Sequence, residues 1–307
     1  MSSFAPIVLF VYNRLEHTKL TIEALQRNIE ASNSDIFIFS DAPQNKKDIA
    51  QVSKVRSYIK KISGFKSIEV HERDFNFGLT KSIESGVTTI VNKFGKVIVL
   101  EDDIVTAPYF LKYMNDSLDM YESNNSVATI CGYTIPNNGE LPETWFGRGA
   151  DAWGWATWKR SWDLYNPDAE YIFQKMKSNG KMKEFDNYNG VDYTALFEAH
   201  INNQISGWDI VWSATCFMNN KYTLFPKKSL VANIGNDGSG TNCAANESFE
   251  NESLYINPIS VAKIDVVDNI DALELYKIYV SGGRSLLYRL VIKYLKNFFK
   301  FIKRIFN

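Results

Sequence analysis

Glu101, Asp102 and Asp103 stand in a row at the end of the apolar run KVIVL. Like charges this close repel strongly at low dielectric, so the cluster requires a cation, a proton or open water. Carboxylates at the end of a strand suit a hard divalent cation, Mg2+ or Mn2+. Such an ion keeps several waters, takes further oxygens from substrate phosphates and neutralises a diphosphate as it departs. The same acids would also be favoured at a helix N-terminus by its dipole. Other chemistries find less support. The first apolar run is followed by Tyr12-Asn13-Arg14-Leu15-Glu16-His17 rather than the glycines of a dinucleotide fingerprint, and neither a phosphate loop nor a nucleophile elbow is present. His17, His71 and His200 are not paired at metal-ligand spacing, which argues against a zinc hydrolase.

The elements that must position these acids are legible as an alternation. PIVLFVY, DIFIFSD, SIEVHE, KVIVLE and VATICGY read as strands, and the periodicity predicts helices near Glu16–Glu30, Lys46–Ile62, Thr80–Phe94 and Pro108–Tyr121. Repeated βαβ units imply an α/β fold with a mostly parallel, right-handed, doubly wound sheet flanked by helices. Ligands of such sheets bind beyond the strands' carboxyl ends, which here carry Tyr12-Asn13-Arg14, Ser40-Asp41 and Glu101-Asp102-Asp103. Gly78 permits close backbone approach in the turn before the third helix, and Lys81 could reach a diphosphate or simply be an exposed helical lysine. Beyond Gly132 the chain becomes aromatic and glycine-rich (WFGRGADAWGWATWKRSW) and reads as an elaboration on the same core. Trp153 and Trp155 could stack on sugar faces or belong to the core.

At 307 residues, 45% hydrophobic and 14% aromatic, the chain can bury a large core. Three dispersed cysteines, Cys131, Cys216 and Cys243, make neither a disulfide framework nor a zinc site, and a reducing cytosol is the expected compartment. The N-terminal apolar run lacks a basic flank and is too short for a secretory signal or a membrane span. The net charge of −1 hides an asymmetry: residues Arg284–Asn307 carry seven Lys or Arg and no acid, leaving 27 basic against 35 acidic residues elsewhere. Arg289, Lys293, Lys296, Lys300 and Lys303 step by four and three, one stripe of an amphipathic helix with Leu, Val, Ile and Phe opposite. Such a helix lies in an anionic membrane interface, or packs its apolar face on protein.

Taken together, these motifs resemble the GT-A fold of nucleotide-sugar glycosyltransferases. The stretch NFGLTKSIESGVTTIVNKFGKVIVLEDDIVTAPYFLKYMNDSL (Asn76–Leu118) closely resembles the corresponding region of bacterial polysaccharide (family 2-like) glycosyltransferases, and its EDD with a following PxF is similar to N-acetylglucosaminyltransferase I. The resemblance implies that Tyr12, Asn13 and Arg14 bind the donor, with Asp41 beside the nucleobase, Glu101 and Asp102 near the ribose and Asp103 ligating the metal. It implies that SGWDIVW (Ser206–Trp212) supplies the catalytic base, Asp209, with Trp208 on the acceptor side. Where relatives of the bacterial kind have a histidine in GSGTHC, this chain has Asn242, which can still offer a carbonyl oxygen to the metal but no charge.

The expectation is therefore a GT-A glycosyltransferase with three parts: a nucleotide-sugar-binding half (1–132), an acceptor-binding and catalytic half (133–265) and a helical membrane-associating tail (266–307). It would use Mn2+ or Mg2+ to move a sugar, with inversion, onto a saccharide or lipid-linked saccharide at the inner face of the cell membrane, in surface polysaccharide biosynthesis. No nucleic-acid partner is expected. A metal-dependent nucleotidyltransferase and a non-catalytic membrane-surface protein are the alternatives. Deleting residues Arg284–Asn307 should move the protein from the membrane to the soluble fraction of a cell lysate, and unchanged fractionation would remove the tail from that role.

Overall fold

The computed structural model describes residues 4–137, 141–237 and 254–281. Its first half follows the alternation in the sequence: β1 (Ile7–Val11), α1 (Leu15–Gln26), β2 (Asp35–Ser40), α2 (Ile49–Ile59), β3 (Ser67–Glu72), α3 (Gly78–Phe94) and β4 (Lys96–Glu101). β1 pairs in parallel with both β2 and β4, and β2 with β3, giving the order β3-β2-β1-β4. Every residue of β1 is buried, because helices cover both faces of the sheet. Ile7, Leu9 and Val11 point to the layer that contains α1 and α2, whereas Val8 and Phe10 point to α3. The two-residue period of a strand thus feeds two separate cores.

The chain continues through β5 (Ile104–Thr106), α4 (Phe110–Met120), β6 (Val127–Cys131), β7 (Thr144–Arg148), β8 (Trp155–Trp158) and α5 (Lys159–Trp162). Four helices follow, α6 (Ala169–Ser178), α7 (Lys181–Asn189), α8 (Tyr193–Ile201) and α9 (Trp208–Met218), and then β9 (Tyr222–Pro226), β10 (Val231–Asn233) and α10 (Ile270–Val280). The full sheet has eight strands in the order β3-β2-β1-β4-β8-β6-β9-β7, and only β7 and β8 run against the others. The α/β architecture expected from the sequence is the one observed: a mostly parallel central sheet flanked by helices. β8 departs from a simple βαβ series. It enters antiparallel between β4 and β6, tied by the Thr129 hydroxyl donating to the Ala156 carbonyl (2.9 Å) and the Thr157 hydroxyl to the Ala128 carbonyl (2.8 Å). β5 and β10 form a separate antiparallel pair beyond the end of β4. The helices α6 to α9 build a core of their own around Phe173, Phe185, Phe197 and Phe217.

Among the described residues no helix is long and apolar enough to cross a membrane. The tail of residues 284–307 and Asn242 lie outside the described residues.

α3 seats on the sheet through Gly86, where an added Cβ would lie 2.6 Å from the Phe10 ring and 3.2 Å from that of Phe39. Gly86→Val should therefore force α3 off the strand layer and cost roughly 1–3 kcal/mol, read as a lowered midpoint in urea unfolding.

Candidate functional site

Three strand ends meet at the carboxyl edge of the sheet. β4 ends in Glu101, and Asp102 and Asp103 make the turn into β5. Arg14, the residue before α1, reaches over from the end of β1, and its Nη2 donates to Asp102 Oδ1 and to Asp103 Oδ2, the latter at 2.7 Å. Burial draws the Arg14 pKa down, but the two carboxylates outweigh it and hold the guanidinium firmly cationic. Asp102 lies deeper, 4% exposed. There burial dominates even the pull of Arg14, with Asp103 adding repulsion, and its pKa is pushed up to about 6. Glu101 goes further up still, from burial first and then from the charges of Asp103, Asp209 and Asp102. A single guanidinium thus compensates only part of the charge that the turn concentrates.

A loop beyond β10 closes over this turn. The Ile234 amide donates to the Asp103 carbonyl (2.9 Å), and His17 Nε2 lies 3.2 Å from the Ile234 carbonyl and 3.3 Å from Asp237 Oδ2. Gly235 packs so closely on the Asp103 carboxylate that a Cβ would sit 2.2 Å from Oδ2, so only glycine fits.

The other expected donor residues line the same edge. Asp41 accepts from the amides of Phe77 and Gly78 (both 2.9 Å) and of Ala42, which pins the turn that starts α3. Gly78 adopts φ 73°, the left-handed region that favours glycine. The Tyr12 hydroxyl accepts from the Gln44 amide (2.9 Å), Asn13 donates to Asp48 (3.4 Å), and Lys81 is exposed on α3. Thr80 and Ser206 share a hydroxyl contact of 2.8 Å that fastens this side to the segment leading into α9.

Asp209 lies in the first turn of α9, exposed to a cavity of about 880 Å3 whose wall it shares with Asp151 and many aromatic side chains. The surrounding protein pushes its pKa up, opposed by the backbone N–H groups of Ile210 and of Asp209 itself. The charge of Asp209 adds to the upward push on Glu101, and its side chain lines the aromatic cavity. Asp151 is held by the Trp153 amide (3.1 Å), and burial raises its pKa to about 6.

The tryptophans divide. Trp153 lines the cavity. Trp155 and Trp208 do not: they are 1% and 2% exposed, 5.5 Å apart between ring centroids, and packed with Trp162 and Trp212 against the strand layer. The expectation that either presents a face to an acceptor is corrected here, since their rings are consumed by each other and by the core.

Among the described residues no group of three or more His, Cys, Asp or Glu is arranged to hold a metal. That does not conflict with Mg2+ or Mn2+, which bind through one or two carboxylates and complete their shell with phosphate and water. The turn offers hard carboxylate oxygens, and Asp102 Oδ2 is buried with no hydrogen-bond partner, while the Arg14 guanidinium engages Asp102 Oδ1 and Asp103 Oδ2 and an ion would share these carboxylates with it. Adjacent carboxylates of this kind, one with an oxygen left unbonded, are of the chemistry that such an ion takes.

The sequence shows Arg148–Asp151 as a loop that could order over a donor but not Asp151 as a cavity residue, and it gives no sign of the covering role of Gly235 and His17 or of the tyrosines Tyr133, Tyr188, Tyr193, Tyr276 and Tyr279 of the cavity. Asp151 sits in the RGAD loop, which is visible as irregular chain. The tyrosines come from segments far apart, and no spacing announces their meeting.

No protein-family model matches the chain, and no curated protein matches it. Among solved structures it is similar to the mannosyltransferase PcManGT from Pyrobaculum calidifontis in complex with GDP-Man and Mn2+ (11% identity, 54% of this chain and 49% of that one, TM-score 0.38). It is also similar to residues 1–349 of S. aureus TarS (12%, 76% and 61%, TM-score 0.40) and to a longer TarS structure (11%, 74% and 36%, TM-score 0.41). The chain thus spans about half of the mannosyltransferase and less than two thirds of either TarS chain.

Removing the guanidinium should leave Asp102 buried beside like charge. A raised carboxyl pKa means that the folded state prefers the protonated form, so the stability lent by that proton is complete below about 3.8 and lost as pH rises through about 6. Arg14→Met should therefore cost about 3–5 kcal/mol at pH 7.5, the scale of an uncompensated buried charge, and far less at pH 5. Urea unfolding at the two pH values measures the difference.

Proposed function

We propose that the chain is a glycosyltransferase that moves a sugar from a nucleoside-diphosphate donor at the acid turn onto an acceptor hydroxyl in the aromatic cavity. The observation that carries this reading is the place of Asp209. Among the described residues it is a carboxylate that opens into the cavity and whose charge acts on Glu101 at the end of β4. Transfer between two bound molecules needs a proton acceptor at the boundary between their sites, and Asp209 occupies that boundary.

Each reacting group then has a residue. The acceptor hydroxyl oxygen attacks the anomeric carbon, and Asp209 takes its proton. The bond from that carbon to the diphosphate oxygen breaks, and its electron pair leaves with the diphosphate. Attack from the side opposite the leaving group inverts the anomeric centre. The protein atoms around Asp209 raise its pKa toward the working range of a general base, while the N-terminal end of α9 favours its ionised form. Asp103 would hold a divalent cation, Mn2+ or Mg2+, which when bound offsets the charge of the departing diphosphate. Arg14 adds a fixed positive charge at that end, and Tyr12, Asn13, Asp41, the Gly78 turn and Lys81 would bind the nucleotide along the strand ends.

A lipid-linked saccharide is the acceptor we favour, with the reaction at the inner face of the cell membrane in surface polysaccharide biosynthesis. Leu273, Tyr276, Tyr279 and Val280 of α10 wall the cavity, and the chain runs from this helix into the basic, Phe- and Ile-rich sequence of residues 284–307. That adjacency supports delivery of an acceptor from an anionic surface.

The reading is tested with nucleotide-sugars and free nucleoside triphosphates in thermal unfolding, with and without Mn2+. A nucleotide-sugar should raise the melting temperature. Stabilisation by triphosphates alone would favour a nucleotidyltransferase, and none by either a non-catalytic protein. With an acceptor in hand, Asp209→Asn should lower the transfer rate by roughly 10²–10⁴-fold, the usual share of a general base, while donor-induced stabilisation persists. Retained transfer would take Asp209 out of the role.

A further inference from the structure

The charges inside the cavity are unbalanced in a way that bears on what it can admit. Among the described residues three charged side chains line it: Arg148, Asp151 and Asp209. The positive one is already engaged. Arg148 Nε donates to Asp268 Oδ2 (3.1 Å) and Nη1 to Glu184 Oε1 (2.8 Å), and its guanidinium lies 4.8 Å and 4.7 Å from the ring centroids of Tyr188 and Phe217. Tyr188 completes the bracket by donating to Asp268 Oδ1 (2.5 Å) and accepting from the Arg148 amide (2.6 Å). Two carboxylates outside the cavity thus balance the one cation that lines it among the described residues.

The two acids have no such balance. Asp151 accepts from the Trp153 amide, a neutral donor (3.1 Å). Asp209 lies in the first turn of α9, where the backbone N–H groups favour its ionised form, and the basic residue whose field reaches it is His200. His200 Nδ1 lies 3.1 Å from the Gly207 amide and 3.3 Å from the Ile205 carbonyl, inside the turn that leads into α9. Around the two carboxylates stand the rings of Tyr133, Trp153, Tyr188, Tyr193, Tyr276 and Tyr279. Aromatic faces carry negative potential, attract ammonium and guanidinium groups and offer an anion nothing. A volume of about 880 Å3 leaves room for a saccharide unit.

We infer that the cavity selects its acceptor by charge: the sugar unit it takes in is neutral or bears an ammonium group, and a carboxylate or phosphate on that unit is rejected. This rests on the reading of the cavity as the acceptor site. The phosphate of a lipid-linked acceptor would then remain outside the aromatic walls, and an earlier transferase or epimerase acting on the same glycan would have to supply a non-acidic terminal sugar.

The test uses the full chain and three simple probes of equal size: methyl glucoside, methyl 2-amino-2-deoxyglucoside and methyl glucuronide. Binding is followed by ligand-observed NMR at pH 7.5 in low salt, which needs no turnover. The amino sugar should bind at least as well as the neutral one, and the glucuronide roughly 10-fold or more weaker, the scale of like-charge rejection in a partly desolvated site. Asp151→Asn, nearly isosteric, should narrow the gap between glucuronide and glucoside; a melting curve checks that the variant is folded. Equal binding of glucuronide and glucoside by the native protein overturns the inference, as does the absence of binding by all three. Nucleotide-sugar stabilisation, measured separately, keeps the two readings apart. Donor binding with an unselective cavity leaves the transferase and removes charge selection. The expected ranking without donor binding leaves the selective cavity and removes the transferase.

Discussion

The contact on which the site depends is the one between Arg14 and the two aspartates of the β4 turn. Three carboxylates in sequence, at the end of a strand buried on both faces, would not stay together without positive charge close by. The guanidinium meets both Asp102 and Asp103 from one nitrogen, so it fixes the end of β1 against the end of β4 as well as compensating charge. It does not compensate all of it. Asp102 and Glu101 remain pushed toward their neutral forms, which leaves a turn prepared to gain from further positive charge.

Around that contact the protein is arranged in two halves of opposite character. The strand ends β1, β2 and β4 present polar groups and backbone amides, many of them fixed by Asp41. The other side, built from β7, α7, α9 and α10, is aromatic and encloses the cavity. The halves are fastened by small contacts: Thr80 to Ser206, and β8 wedged between β4 and β6. Asp209 belongs to both halves because α9 begins where they meet.

The first half was legible from β1 to β4 because its signals are local. Five- and six-residue apolar runs in IVLFV, DIFIFS and KVIVLE can satisfy their backbone only in a sheet, and the amphipathic segments between them must cover its faces. The acid turn and the Tyr12-Asn13-Arg14 segment were legible for the same reason, since a ligand edge follows from strand direction. The tryptophans were not. WGWATW at Trp153–Trp158 carries no period that separates a ring facing a ligand from one facing Trp162, and the strand β8 that buries Trp155 pairs with residues more than twenty and more than fifty positions away.

Residue types and their short-range order by themselves determined that the chain forms a parallel α/β sheet, that it ends a central strand in clustered acids, and that a basic residue follows the first strand. These depend on backbone hydrogen bonding and periodicity, which act within a few residues. Only the tertiary structure decided that Arg14 neutralises part of the cluster, that Trp155 and Trp208 are core while Asp151 is not, and that tyrosines from four segments line a space with two acids and, among the described residues, no unengaged cation. Those outcomes depend on which distant side chains share a desolvated volume, and burial, charge compensation and ring packing are properties of that volume rather than of any stretch of sequence.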